Sequence, residues 1–99
     1  MRVIARKTLR DFWTQPAYAD SEQPLKAWYQ EATKADWTGP ADVKEKYRSA
    51  SVLRNNRVAL NIAGNKYRLV VSVNYPYRVV YVRFVGTHKM YDAIDAGTV

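Results

Sequence analysis

The spacing of apolar residues along this chain changes period once, near residue 50. Before that point it is helical. Leu9, Phe12 and Trp13 stand at i, i+3 and i+4, which predicts a helix from Arg6 to Thr14. Gln15-Pro16 ends it, because proline lacks the amide donor and disfavours helix in the residue before it. Ser21 is the expected N-cap of a second helix, with Glu22 in the first turn and Pro24 tolerated there. Leu25, Trp28, Tyr29 and Ala32 give that helix an apolar stripe, and it runs to about Ala35. After the break at Trp37-Thr38-Gly39, Pro40 opens a short third helix, Ala41 to about Tyr47. Met1 to Ile4 is a short candidate strand ahead of all three. Ser49-Ala50-Ser51 reads as a loop.

Beyond that loop the period is two. Val58, Leu60 and Ile62 alternate with Arg57, Ala59 and Asn61, the pattern of a half-buried strand. Tyr67, Leu69, Val71 and Val73 alternate with Lys66, Arg68, Val70 and Ser72. Ala63-Gly64-Asn65 supplies the tight turn between them, with Gly and Asn suited to positive φ. Asn74-Tyr75-Pro76-Tyr77 turns the chain again. Arg78 to Val85 is the last long strand, Gly86 ends it, and Thr87 to Ile94 is a loop or a short helix. The order predicts an α+β fold, with an N-terminal strand and two to three helices packed on one face of a mainly antiparallel sheet. Ninety-nine residues suit a single domain, residues 1–99.

Charge sharpens this picture. The net charge is +7, and from Lys46 to Tyr91 there is no Asp or Glu, while nine Lys or Arg occur. Such a surface attracts polyanions, nucleic acid first among them, with an acidic protein as the alternative. Lys46, Arg48, Arg54, Arg57 and Lys89 are the expected RNA contacts. The chain has no cysteine, which excludes disulfides and thiol chemistry. One histidine and so few carboxylates in this half supply no usual metal set, so no metal and no cofactor are expected. No P-loop, GxGxxG or GxSxG occurs. No apolar run approaches the length of a membrane span, and MRVIARKTLRDFW has no signal-peptide core, so a cytoplasmic protein is expected.

Metal-free RNA cleavage suits the remaining residues. The ribose 2′-OH attacks the adjacent phosphorus while a base removes its proton, an acid protonates the 5′ oxygen, and cations stabilise the added charge. Histidine suits either proton role. Arginine offers a fixed fork of donors to phosphate, and lysine a point charge or a base when its pKa is lowered. Tyrosine stacks on a base or hydrogen-bonds a phosphate. If Tyr67, Leu69 and Val71 face the core, Lys66 and Arg68 face the other way, side by side. Arg83 lies on a strand expected to pair with theirs, and His88 and Tyr91 follow that strand's end. Plainer readings stand beside this one: a packed loop histidine, a tyrosine anchoring the C-terminal segment, and basic residues on a solvated sheet face. Arg78, beside a turn, reads as solvated.

The blocks GNKYRLVV and VRFVGTHKMYD, with LRDFW, QPLKAWYQEATKADW and PADVKEKYRSAS earlier, closely resemble the HigB-type toxins of bacterial type II toxin–antitoxin systems, within the RelE/ParE-like superfamily. The resemblance implies a small RelE-like fold and a ribosome-dependent mRNA endonuclease that cuts transcripts during translation without metal. It implies a HigA-type helix-turn-helix antitoxin as partner, the ribosome and mRNA as targets, and operator DNA bound only through the antitoxin complex. By position, Arg68 matches the strand arginine used at the phosphate, His88 a basic position, and Tyr91 the C-terminal tyrosine that stacks on or orients substrate. Lys66 and Arg83 fit as supporting cations. His88 is then the acid and Lys66 the base, or the reverse. The alternatives are a non-catalytic RNA-binding module and a ParE-like poison of gyrase.

Overall fold

A computed structural model of the chain describes all 99 residues. Five strands form one mixed sheet in the order β1-β5-β4-β3-β2, with β1 spanning Arg2–Ile4, β2 Ser51–Val52, β3 Arg57–Ile62, β4 Tyr67–Asn74 and β5 Val79–Thr87. The strands β2 to β5 pair antiparallel; β1 lies parallel against the start of β5. The helices are α1 (Arg6–Trp13), α2 (Glu22–Lys34), α3 (Pro40–Lys46) and α4 (His88–Asp92). The architecture is the expected α+β arrangement, consistent with a small RelE-like fold.

One face of the sheet carries the main core. Leu9, Phe12 and Trp13 of α1, Leu25, Trp28 and Ala32 of α2 and Val43 of α3 pack on Val58, Leu60, Tyr67, Leu69, Val71, Val73 and Val80. These are the stripes predicted from spacing, and their burial is the dominant favourable term in forming the layer. Tyr67 reaches between α1 and a 3-10 segment, Pro16–Ser21. Its ring meets Phe12 and Tyr18 edge-on, and those two stack at 4.4 Å.

The opposite face has a different composition. Ala59 and Val70 are fully buried yet stand apart from the core cluster; they are cross-strand partners on this second face. Between Val70 and Val71 the β4–β5 register slips, so that Val70 pairs Phe84 while Val71 pairs Val82. The extra residue is Arg83, and both Arg83 and Phe84 turn to the second face. A bulge of this kind re-aims side chains and raises local twist.

Local details depart from the expectation. Ser21 does not cap α2: it has helical dihedrals, and its hydroxyl donates to the Tyr18 carbonyl at 2.6 Å, closing the 3-10 segment. Ser51 belongs to a two-residue strand rather than a loop, paired with Ala59 at the sheet's edge. In the β3–β4 turn the left-handed residues are Ala63 (φ 56°) and Gly64 (φ 70°), not Asn65. Arg78 is not simply solvated. It takes φ 57°, ion-pairs with Asp36 and donates to the Tyr75 carbonyl, tying the last turn to the segment after α2.

Candidate active site

The second face is built around Arg68. Its side chain leaves β4 away from the core, and its cross-strand neighbours are Asn61 on β3 and Gly86 on β5. Nη1 donates to Asn61 Oδ1 at 3.0 Å, and a long contact of 3.4 Å joins Nη2 to Ser51 Oγ. The guanidinium carbon lies 4.7 Å from the Tyr91 ring centroid, a cation–π stack. Nε is buried with no partner, and no carboxylate pairs with the group. The three strands forming this face, β3, β4 and β5, contain no Asp or Glu. Arg68 is thus a positioned cation with donor capacity left over.

Placement of Tyr91 follows from α4. Thr87 caps that helix, its hydroxyl accepting from the Met90 amide at 3.1 Å. His88 and Tyr91 stand at i and i+3, neighbours on one side of a helix. The turn that brings the Tyr91 ring over Arg68 therefore brings His88 to the same end of β5. His88 Nε2 is buried and has no partner. A buried polar nitrogen without a partner costs free energy unless a ligand or water satisfies it. Gly86 leaves room for two neighbours here: a Cβ would meet the tip of Phe84, Cζ at 2.7 Å, and Met90 Sδ at 3.0 Å, and these side chains would have to shift.

Lys66 is not part of this group. It precedes β4, in the turn, so strand alternation does not fix its direction. Its ammonium ion-pairs with Asp20, whose other oxygen accepts from the Tyr67 hydroxyl on the core side. The hydrogen bond and the charge of Asp20 raise the Lys66 pKa, and Lys66 and Tyr67 lower that of Asp20. The side-by-side placement of Lys66 and Arg68 expected from alternation is therefore corrected.

Arg83 shares the face with Arg68 but not the spot. Its Nε donates to Ser72 Oγ at 3.0 Å and its guanidinium lies 5.2 Å from the Tyr81 ring centroid. Ser72 is four residues along β4 from Arg68, about 13 Å at strand rise.

The five expected RNA contacts also disperse. Lys46 is exposed at the end of α3, beside a cleft formed with Glu31, Lys34 and Trp37 in the helical layer. Arg48 is exposed ahead of β2. Arg54 pairs with Asp95 at 2.5 Å, and Arg57 donates to the Val99 main-chain oxygen through Nη2 at 2.5 Å and Nε at 3.1 Å. Lys89 is exposed on α4 without an acceptor.

Sequence reasoning missed Asn61 and Ser51, which hold Arg68, and the Thr87 cap. Thr87 carried a legible signal, a threonine just ahead of a helical segment. Asn61 became legible only once the register was known.

A model of the HigB toxin family, the RelE-like toxic component of a toxin–antitoxin system, matches residues 21–94. The chain belongs to this family. The match contains Arg68, His88 and Tyr91 and begins after α1, so β1 and the LRDFW block lie outside it. No curated protein matches the chain. A HigB toxin works against an antitoxin partner, and no helix of this one is long and apolar enough to cross a membrane.

Proposed function

We propose that this HigB toxin is an mRNA interferase: a metal-independent endoribonuclease that cuts translated mRNA on the ribosome. The observation that supports it best is the group of Arg68, Tyr91 and His88. It combines a stacked guanidinium with a free donor, a buried imidazole nitrogen without a partner, and strands free of carboxylate. In the proposed reaction the 2′ oxygen bonds to phosphorus and the bond to the 5′ oxygen breaks. The products are a 2′,3′-cyclic phosphate and a free 5′-OH. Arg68 offers its donors to the non-bridging oxygens, where negative charge grows in the transition state. Tyr91 holds the guanidinium plane and presents a ring edge to a base. His88 gives a proton to the departing 5′ oxygen. Lys66 is a poor base while Asp20 raises its pKa, so the proton of the 2′-OH passes to a group outside this chain. A site completed by the ribosome accounts for that gap.

In this reading a HigA-type helix-turn-helix antitoxin blocks the toxin, and operator DNA is met only through the complex. The protein acts in the cytoplasm. The test is to map mRNA 5′ ends in cells minutes after inducing wild type or His88→Ala. New cuts within translated codons, absent in the variant, are expected. Growth arrest by wild type with no new cuts would sink the nuclease reading and turn attention to gyrase.

A further inference from the structure

A second built feature lies on the same sheet face, beyond the Arg68 group. A cavity of about 470 Å³ opens there, lined by Asn56, Arg57, Ser72, Asn74, Tyr81 and Arg83 among others, and no acidic residue lines it. Its two cations differ. Arg57 already gives Nε and Nη2 to the Val99 main-chain oxygen and Nη1 to the Asn55 carbonyl. Arg83 gives only Nε, to Ser72, so its terminal nitrogens have no acceptor. Its guanidinium is held all the same, by that bond, by the Tyr81 ring and by the bulge that turns it out of the sheet. A pre-oriented fork with unused donors suits an oxyanion with two or more oxygens, a phosphate above all.

What separates Arg83 from Arg68 points to the ligand. Between them Val70 and Ala59 are fully buried, and the apolar surface on offer is the half-buried ring of Phe84, the cross-strand partner of Val70. The face thus reads cation, aromatic ring, cation: Arg68, Phe84, Arg83. A single nucleic-acid strand offers the complementary order, with phosphates spaced by bases that stack on apolar or aromatic surface.

We propose that the Arg83–Ser72–Tyr81 cavity is a docking subsite for a second phosphate of the RNA strand that is cut at Arg68. The proposal rests on the RNA-cleaving reading. It makes Arg83 a gripping residue that acts on a neighbouring nucleotide, where it sets the length and register of the bound strand. It takes no part in the chemistry at the scissile phosphate.

The test is an NMR titration of the full chain, following backbone amides and the Arg83 Nε–H. One probe is inorganic phosphate. The other is a 2′-O-methylated RNA tetranucleotide, which cannot be cleaved because its attacking hydroxyls are blocked. Saturable shifts at Ser72, Tyr81 and Arg83 are expected with both. Arg83→Ala is expected to weaken them about tenfold or more, the scale of hydrogen bonds to a charged group. Arg83→Lys should not restore them, since lysine loses the fork and the ring stack. Arg68→Ala should leave them in place.

Shifts confined to Arg68, Gly86 and Tyr91 would overturn the subsite and leave the cleavage reading intact. Shifts at Arg83 with none around Arg68 when the tetranucleotide binds would leave an anion site there but overturn its role as a subsite of a strand cut at Arg68, and would count against the cleavage centre. An Arg83→Lys protein that binds as well as wild type would reduce the feature to diffuse charge and overturn the proposal. No saturable shift at Arg83 overturns it too, whatever occurs elsewhere.

Discussion

Strand β4 presents two unlike faces to the rest of the molecule. Tyr67, Leu69, Val71 and Val73 vanish under three helices. Arg68, Val70 and Ser72 look the other way, onto a surface roofed only at one end by α4. On the covered face nearly every side chain is explained by packing. On the other face Arg68 and Arg83 are held by hydrogen bonds and aromatic rings, and polar atoms of Arg68, Arg83 and His88 have no partner. The covered side has unpartnered buried atoms too, Trp28 Nε1 and Tyr75 Oη, but those of the second face belong to a guanidinium and an imidazole on or beside strands free of carboxylate.

The largest expected effects separate the two faces cleanly. His88→Ala and Arg68→Ala should each lower cleavage of translated mRNA by about 10²–10⁴-fold, the usual cost of losing a proton-transfer or charge-stabilising group. Their thermal midpoints should stay near wild type. Equal toxicity in both variants would remove the site from Arg68 altogether. Leu69→Ala, one residue away on the covered face, should do the opposite. It should cost about 2–5 kcal/mol of stability, read by denaturant unfolding, while any folded fraction keeps its activity.

Gly86→Ala tests whether the faces are truly separate. Its new methyl group meets Phe84 and Met90, so it should cost about 1–3 kcal/mol as overpacking. It should also lift α4, moving Tyr91 off Arg68 and lowering activity. Retained activity with unchanged stability would show that α4 does not depend on that close approach. Thr87→Ala should be milder, about 1 kcal/mol for a lost N-cap, measured by the same unfolding curves, with a partial loss of cleavage as α4 frays.

The smallest effect concerns the pair outside the site. Lys66 and the Tyr67 hydroxyl hold the Asp20 carboxyl below its ordinary value of 3.8. A folded-state pKa below the unfolded one means the pair stabilises the fold above pH 3.8. That contribution is lost as pH falls further. Lys66 behaves conversely: its pKa lies above 10.5, so its share is full below that pH and is lost as pH rises past it. Asp20→Asn should therefore flatten the acid limb of a midpoint-against-pH profile. Parallel acid limbs for variant and wild type would show that the pair contributes nothing. At neutral pH, neither Asp20→Asn nor Lys66→Ala should reach the loss caused by Arg68→Ala.

The contrast also explains what the sequence could and could not disclose. Leu9, Phe12, Trp28 and Leu69 were legible because burial imposes a period, and period is local. Arg68 and its direction were legible for the same reason, being fixed by the alternation around it. Lys66 was misplaced because it sits in a turn, where alternation has no authority, and because Asp20, its partner, lies 46 residues away. Arg83 was placed on a strand pairing with that of Arg68, but the register sets Gly86 opposite Arg68, and the extra residue in β5 turns Arg83 to the second face beside Ser72. No residue type announces a bulge of this kind. Ser21 resembled a cap because the residue type was right. The chain enters α2 from a 3-10 segment and leaves the hydroxyl no helix end to satisfy. In each miss, tertiary context overrode a sound local rule.

The pairing of β1 with β5 has a bearing on timing. Arg2 lies against Val79 and Ile4 against Tyr81, so the chain's opening strand stays an unmatched edge until its last strand exists. β5 is also the strand from which α4 springs. During synthesis, which proceeds from the N-terminus, the helices and even β3–β4 can form while the sheet remains open and Tyr91 is still to come. Contacts so distant in sequence form late and raise the entropic barrier to closure. The Arg68 group therefore comes together only when the sheet does, and a partly made chain lacks it.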